Sequence, residues 1–157
     1  MKILVQRVKE AAVTIDGSIV GEIGKGVLIF LGVSQSDTKE VADKMIRKLV
    51  GMRIFEDQEG KTNLDLKSVN GSMLIVSQFT LYADCKKGNR PSFTNAALPD
   101  PARQIYDYTI AECKKLVENV QTGSFGADME VSLINDGPFT IMLDSEEICG
   151  TNSNMIK

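Results

Sequence analysis

Residues 27–33, Val27-Leu28-Ile29-Phe30-Leu31-Gly32-Val33, form an unbroken apolar run that constrains the fold more than any other stretch. Side chains alternate across a strand, so a strand apolar on both faces must be covered on both sides, which puts it in the middle of a sheet. Neighbours for it are legible on either side. Ile3-Leu4-Val5-Gln6-Arg7-Val8 reads as one strand and Val13-Thr14-Ile15 as another, after a break at Glu10-Ala11-Ala12. Asp16-Gly17 is a two-residue hairpin signal leading into Ser18-Ile19-Val20-Gly21-Glu22-Ile23, and Gly24-Lys25-Gly26 turns the chain into the central run. Residues 56–62 read as a turn or short hairpin, and residues 130–134 and 139–143 as two strands around Asn135-Asp136-Gly137-Pro138.

Two stretches carry a helical period. Ser36-Asp37-Thr38 offers an N-cap with Glu40 in the first turn; Val41, Met45, Leu49 and Met52 then recur on one face, with Lys44, Arg47 and Lys48 on a solvated one. Pro99-Asp100-Pro101 opens the second helix, whose expected buried side is Ile105, Thr109, Leu116, Val117 and Val120, with Cys113 a further core residue. Strands in meander order with two helices predict an α+β fold: a mostly antiparallel, barrel-like β-sheet with two main helices. No repeat or linker divides the chain, so residues 1–145 are read as a single domain and 146–157 as a polar, frayed tail.

Met73-Leu74-Ile75-Val76 is a second buried strand by content, but it runs into Ser77-Gln78-Phe79-Thr80-Leu81. If the strand continues, Leu74, Val76, Gln78 and Thr80 share one face and Ile75, Ser77, Phe79 and Leu81 the other. Both faces turn polar within one residue of each other. Such a strand either leaves the core or delivers an amide and two hydroxyls into a pocket; satisfied hydroxyls at a strand end are the ordinary explanation. Arg7 presents a similar choice, a strand-end charge reaching solvent or a guanidinium that pins a nearby backbone carbonyl. Residues 82–93, with Lys86, Lys87 and Arg90 beside Tyr82 and Phe93, are either an exposed loop or a cradle for phosphate and ribose.

Composition narrows the chemistry. There is no histidine among the 157 residues, which removes His-dependent triads, Cys-His dyads and His-bearing zinc sites. Cys85, Cys113 and Cys149 form no Cys-x-x-Cys spacing and are odd in number, against a disulfide framework. No apolar run approaches the ~18 residues of a membrane span and the start has no secretory pattern, so the expected address is cytoplasmic. A net charge of −3 argues against a broad polyanion-binding surface; any contact with RNA should involve a short piece of it.

Ser77-Gln78-Phe79-Thr80-Leu81 and Asn135-x-Gly137-Pro138-x-Thr140, in this order and at this chain length, resemble the paired motifs of the D-aminoacyl-tRNA deacylase family. The resemblance extends to Met1-Lys2-Ile3-Leu4-Val5-Gln6-Arg7-Val8, Gly24-Lys25-Gly26 and Lys87-Gly88-Asn89-Arg90-Pro91-Ser92-Phe93, nearly the whole chain. It implies hydrolysis of the ester that joins a D-amino acid to the 3′ acceptor end of tRNA, with glycyl-tRNA mischarged on tRNA(Ala) also cleaved and L-aminoacyl-tRNA rejected. By the same resemblance Ser77, Gln78, Phe79 and Thr80 are catalytic, and Gly137, Pro138 and Arg7 are substrate-binding. Gly137-Pro138 is expected to be cis and to project its carbonyls into the site of a partner subunit of a homodimer, while Asp136 and Phe139 fall at variable positions and carry no weight. No metal, cofactor, membrane or DNA is implied. Two mechanisms remain open. Thr80 attacks while Gln78 orients it, or backbone N–H groups around Phe79-Thr80 hold the carbonyl oxygen while the neighbouring ribose hydroxyl assists water. The second asks for no base, and none is visible beside Thr80. Other functions compatible with the residues are a small-molecule esterase using Thr80 and a non-enzymatic module that binds RNA ends.

Overall fold

β1 (Lys2–Ile15) is the strand to which most of the sheet is attached. The structure, a computed structural model, describes residues 1–150. The second half of β1 pairs antiparallel with β2 (Ser18–Ile23) across the Asp16-Gly17 turn, whose φ values of 50° and 78° suit the two left-handed positions of a type I′ hairpin. Its first half pairs antiparallel with β3 (Gly26–Gly32), from Lys2 opposite Gly32 to Val8 opposite Gly26. The break expected at Glu10-Ala11-Ala12 is absent. β1 is continuous there because it only changes partner, from β3 to β2, without leaving the ladder.

The chain then alternates helix and strand. α1 (Lys39–Gly51) is followed by the hairpin β4 (Phe55–Glu56) and β5 (Thr62–Leu64), and by β6 (Ser72–Ser77), which lies parallel to β3. α2 (Pro99–Leu116) leads to β7 (Val120–Thr122), parallel to β6. β8 (Glu130–Asp144) then runs antiparallel along the other side of β1, and α3 (Ser145–Cys149) follows it. Parallel strands need a crossover, and α1 and α2 provide the two crossovers. The α+β, barrel-like architecture is as expected, with a mixed sheet in which the β3–β6–β7 side is parallel. β2 leans back against β6 and β7 and nearly closes the barrel.

β3 is apolar on both faces because it serves two cores. Val27, Ile29 and Leu31 face the helices with Met73 and Ile75 of β6, while Leu28 packs inside the barrel with Val8, Val13, Leu74 and Val76. Thr38 caps α1, its hydroxyl accepting from Val41 N at 3.3 Å, and Ala42, Met45, Ile46 and Leu49 form the buried face. On α2 the buried residues are Ala102, Tyr106, Thr109 and Cys113. Leu116, expected inside, is 47% exposed, and Val120 belongs to β7 rather than the helix. The rotation of α2 is set by Tyr106, whose buried hydroxyl donates to the Ile75 carbonyl at 3.1 Å.

The expected frayed tail is corrected for its first part. Residues 145–149 are helical, Asp144 caps them by accepting from Glu146 N at 3.0 Å, and Ile148 and Cys149 pack on the helix-side core. Ser145 is buried, and its Oγ accepts from the Met1 ammonium at 2.6 Å, which also meets Asp37 Oδ1 at 2.5 Å. The remainder of that tail, 151–157, lies outside the described residues.

Candidate active site

β6 stops at Ser77. The next amide, Gln78 N, makes a last bond to Leu31 O at 2.8 Å, and the chain winds into a 3-10 turn, Phe79–Tyr82, closed by Leu81 N to Gln78 O at 3.3 Å. The alternation expected through Leu81 therefore ends early. Gln78, Phe79 and Thr80 do not share strand faces; they sit on a turn that leaves the sheet. Ser77 and Gln78 are half-buried, Thr80 is exposed and Phe79 is 57% exposed. The first N–H groups of a helical turn have no partner within it, and those of Phe79 and Thr80 donate to no acceptor among the described residues. Gln78 Nε2 donates to Thr80 Oγ1 at 2.5 Å. In either orientation of that amide the partner of Thr80 is neutral, and it cannot serve as a base. Tyr82 closes the turn with its hydroxyl buried; burial first, and Asp37 next, push its pKa far above the usual phenol value, so it stays protonated.

The second motif is a bulge in β8. The strand leaves β1 at Asn135, opposite Val8, and rejoins it at Thr140, opposite Gln6, so that residues 136–139 project opposite Arg7. The two strands read from sequence are the two halves of this one strand. Asn135 closes the bulge: its Oδ1 accepts from Phe139 N at 2.6 Å and its Nδ2 donates to Thr140 Oγ1 at 2.9 Å. Arg7 is buried beneath it. Nε donates to the Asp136 carbonyl at 2.9 Å, Nη1 donates to the Ile54 carbonyl at 2.6 Å, and the guanidinium lies 4.6 Å from the centre of the Phe139 ring. Asp136 and Phe139, given no weight on sequence, hold the bulge through a carbonyl and a ring. The Gly137–Pro138 peptide is cis. Gly137 has a φ of 149°, and a Cβ there would lie 2.9 Å from Phe139 N and 3.1 Å from Phe139 Cβ, so only glycine fits.

Ser77, Gln78 and Phe79 rim a cleft of about 590 Å³, walled by the loop at Phe93 and Leu98, the start of α2, and the loop at Phe125 and Met129. The Phe79 and Phe93 rings meet edge to face, 5.1 Å apart. Thr80 lies outside this cleft. The loop after the turn is closed by paired backbone bonds between Asp84 and Ser92, and Lys86, Lys87 and Arg90 are exposed along it. Among the described residues no group of His, Cys, Asp or Glu could hold a metal ion, and no helix is long and apolar enough to cross a membrane.

One chain does not bring the two motifs together. Arg7, which marks the bulge, is level with Val27 and Met73, whereas Ser77 is level with Leu31. Four residues along the strands and three strand spacings across the sheet separate them by roughly 15–20 Å. Of the seven site residues read from sequence, Ser77, Gln78, Phe79 and Thr80 cluster at one place and Arg7, Gly137 and Pro138 at another. Asn135 and Thr140 join the second group and were visible in the motif itself; the Ile54 carbonyl joins it as a main-chain acceptor with no sequence signal.

A family model described as D-Tyr-tRNA(Tyr) deacylase matches residues 4–144. The polar turn, the cleft and the clamped bulge are thus features of an ester hydrolase that has no histidine. D-aminoacyl-tRNA deacylases of similar length agree: that of Clostridium kluyveri is 56% identical over 148 residues (94% of this chain and 99% of that protein), and that of Thermosipho africanus is 49% identical over the same shares. The chain belongs to the D-aminoacyl-tRNA deacylase family. A solved structure described as a c-Myc DNA unwinding element binding protein superposes with a TM-score of 0.88 at 39% identity, covering 92% of this chain and 98% of that one. A probable eukaryotic D-amino acid tRNA deacylase shares the fold at 18% identity, with a TM-score of 0.78 over 90% of this chain and 97% of its own.

Proposed function

We propose that this protein hydrolyses the ester of D-aminoacyl-tRNA to free D-amino acid and tRNA, with the 3′ acceptor end as the part of the RNA it grips. Family membership supports the reaction; the observation that carries the mechanism is the pair of N–H groups at Phe79 and Thr80 that have no partner among the described residues, beside a hydroxyl whose only side-chain partner there is a neutral amide. These donors suit a carbonyl oxygen that becomes an oxyanion. The ester is already activated, so positioning and oxyanion stabilisation do most of the work, and the adjacent ribose hydroxyl of the substrate assists the attacking water. Gln78 and the Thr80 hydroxyl orient the turn. Lys86, Lys87 and Arg90 suit the phosphate and ribose that follow.

The bulge supplies chirality. Main chain at Gly137–Pro138, set beside the α-carbon, admits hydrogen and clashes with an L side chain, so glycyl-tRNA is cleaved along with the D esters. The distance between bulge and turn within one chain supports a wall contributed by a second copy, hence a two-fold homodimer with two equal sites. β8 pairs only with β1 among the described residues, leaving its other edge open, and Ile134, Met142, Phe79 and Leu98 are exposed apolar residues of the kind an interface covers. The test is turnover of D-alanyl-tRNA against a small D-alanyl ester. Preference for the tRNA supports the reading; equal turnover points to a small-molecule esterase, and RNA retention without turnover to a binding module.

A further inference from the structure

A groove beside α1 carries charge that the mechanism does not use. Lys44, Arg47 and Lys48 of α1 and Arg53 just beyond it line an open groove of about 610 Å³, together with Gly51, Met52 and Ile148. All four cations are exposed and, among the described residues, no acidic side chain lines the groove. Among the described residues none of the four lies within 4.0 Å of a carboxylate, whereas Lys61, Arg103 and Lys115 each have such a partner. α3 packs against α1, yet its Glu146 and Glu147 form no ion pair there. The helix dipole favours a cation in the last turn and accounts for Lys48. It does not account for Lys44 a turn earlier or for Arg53 outside the helix. Residues three and four apart on a helix are neighbours, and like charges at that spacing repel unless an anion lies between them.

The groove also leads to the second motif. Arg53 precedes Ile54, whose carbonyl accepts from Arg7 Nη1, and Arg7 Nε donates to the Asp136 carbonyl beside Gly137. One guanidinium therefore separates the end of the groove from the bulge. We propose that this groove binds the phosphate backbone of tRNA, taking the acceptor arm of the aminoacyl-tRNA whose 3′ end lies between the bulge and the turn of a second copy. The inference rests on the deacylase reading above and gives it a second anchor. In a chain with 21 acidic and 18 basic residues, it adds one local site of attraction for RNA to that of Lys86, Lys87 and Arg90.

The test combines Lys44→Gln, Arg47→Gln and Lys48→Gln, all on the exposed face and all to a good helix former. Kinetics are measured across salt with D-alanyl-tRNA and with D-alanyl-adenosine, which has no phosphate. The expected result is a KM for tRNA raised on the order of tenfold at low salt and a salt slope reduced by about 1 per cation removed. kcat and the adenosine ester should be unchanged. A second triple variant, Lys44→Arg, Arg47→Lys and Lys48→Arg, should keep the parent KM. Unchanged KM and slope in the glutamine variant would overturn the groove's role, as would an equal loss on the adenosine ester or in the charge-keeping variant. A parent protein that leaves D-alanyl-tRNA intact would instead defeat the deacylase reading. Binding of deacylated tRNA by fluorescence anisotropy then decides the groove, weaker binding by the glutamine variant supporting it and equal binding overturning it. A DNA hairpin that competes as well as tRNA would overturn the assignment to tRNA.

Discussion

Arg7 ties three segments of chain together: its own strand, the Ile54 carbonyl before β4, and the Asp136 carbonyl of the bulge. A lysine has one ammonium where the guanidinium has a fork, so Arg7→Lys should leave one carbonyl without a donor. The expected cost is about 1–3 kcal/mol, read as a lower denaturation midpoint, together with a loss of activity larger than the stability change explains. The Thr80 hydroxyl accepts from Gln78 Nε2. Its partner is a neutral amide, so Thr80→Ala should keep turnover within about tenfold of the parent, whereas loss of an acid–base group typically costs 10²–10⁴-fold. Removing the neighbouring hydroxyl of the substrate ribose should hurt more. A covalent ester trapped on Thr80, or a variant that binds normally and is dead, would hand the chemistry to the hydroxyl. Much at this scale was legible: both motifs, and Arg7 as a charge in an apolar strand. The main-chain acceptor at Ile54 was not, because a carbonyl is common to every residue and only the fold selects which one is used.

At the scale of elements, apolar runs identified β3, β6 and the face of α1 because each is buried through its own local pattern. The end of β6 at Ser77 departs from the alternation for a physical reason. Alternation continues on paper through Leu81, but the ladder ends where β3 does, and a strand's hydrogen-bond partner lies elsewhere in the chain. The continuity of β1 escaped for the same reason, since its polar stretch is held by β2 and β8. α2 was placed correctly and its rotation only in part, with Thr109 and Cys113 inside as expected and Leu116 out. Its buried face carries a pH signature. Burial raises the Cys113 thiol from its ordinary 9.0 to about 12 and the Tyr106 hydroxyl from 10.0 to about 12. The unfolded chain therefore loses these protons first, and by linkage stability falls as pH rises. Stability from these two groups should be fully present below about pH 9 and decline towards pH 12, with Cys113 unreactive to thiol reagents at pH 8 while exposed Cys85 reacts. Flat stability across that window, or fast labelling of Cys113 in the folded protein, would contradict the packing.

For the whole molecule, the separation of turn and bulge makes a subunit-mixing experiment decisive for assembly. Gly137→Ala should disable the wall, and a Phe79→Pro change, which removes one donor N–H, should disable the turn. The Phe79→Pro homodimer should be inactive, and the Gly137→Ala homodimer should lose its discrimination against the L ester. Mixed dimers should recover one working site, because one subunit then has an intact turn and the other an intact bulge. An active monomer in sedimentation, or no recovery in verified mixed dimers, would place both motifs in one chain's service. Main-chain exclusion is tested most directly by deacylation of matched D-alanyl-, L-alanyl- and glycyl-tRNA by the same preparation. Attraction for one methyl group discriminates by about 1–3 kcal/mol; a clash with backbone can exceed that. Exclusion by main chain predicts fast cleavage of the D ester, cleavage of the glycyl ester, and a nearly inert L ester; L-alanyl-tRNA cleaved as readily as D-alanyl-tRNA would rule it out.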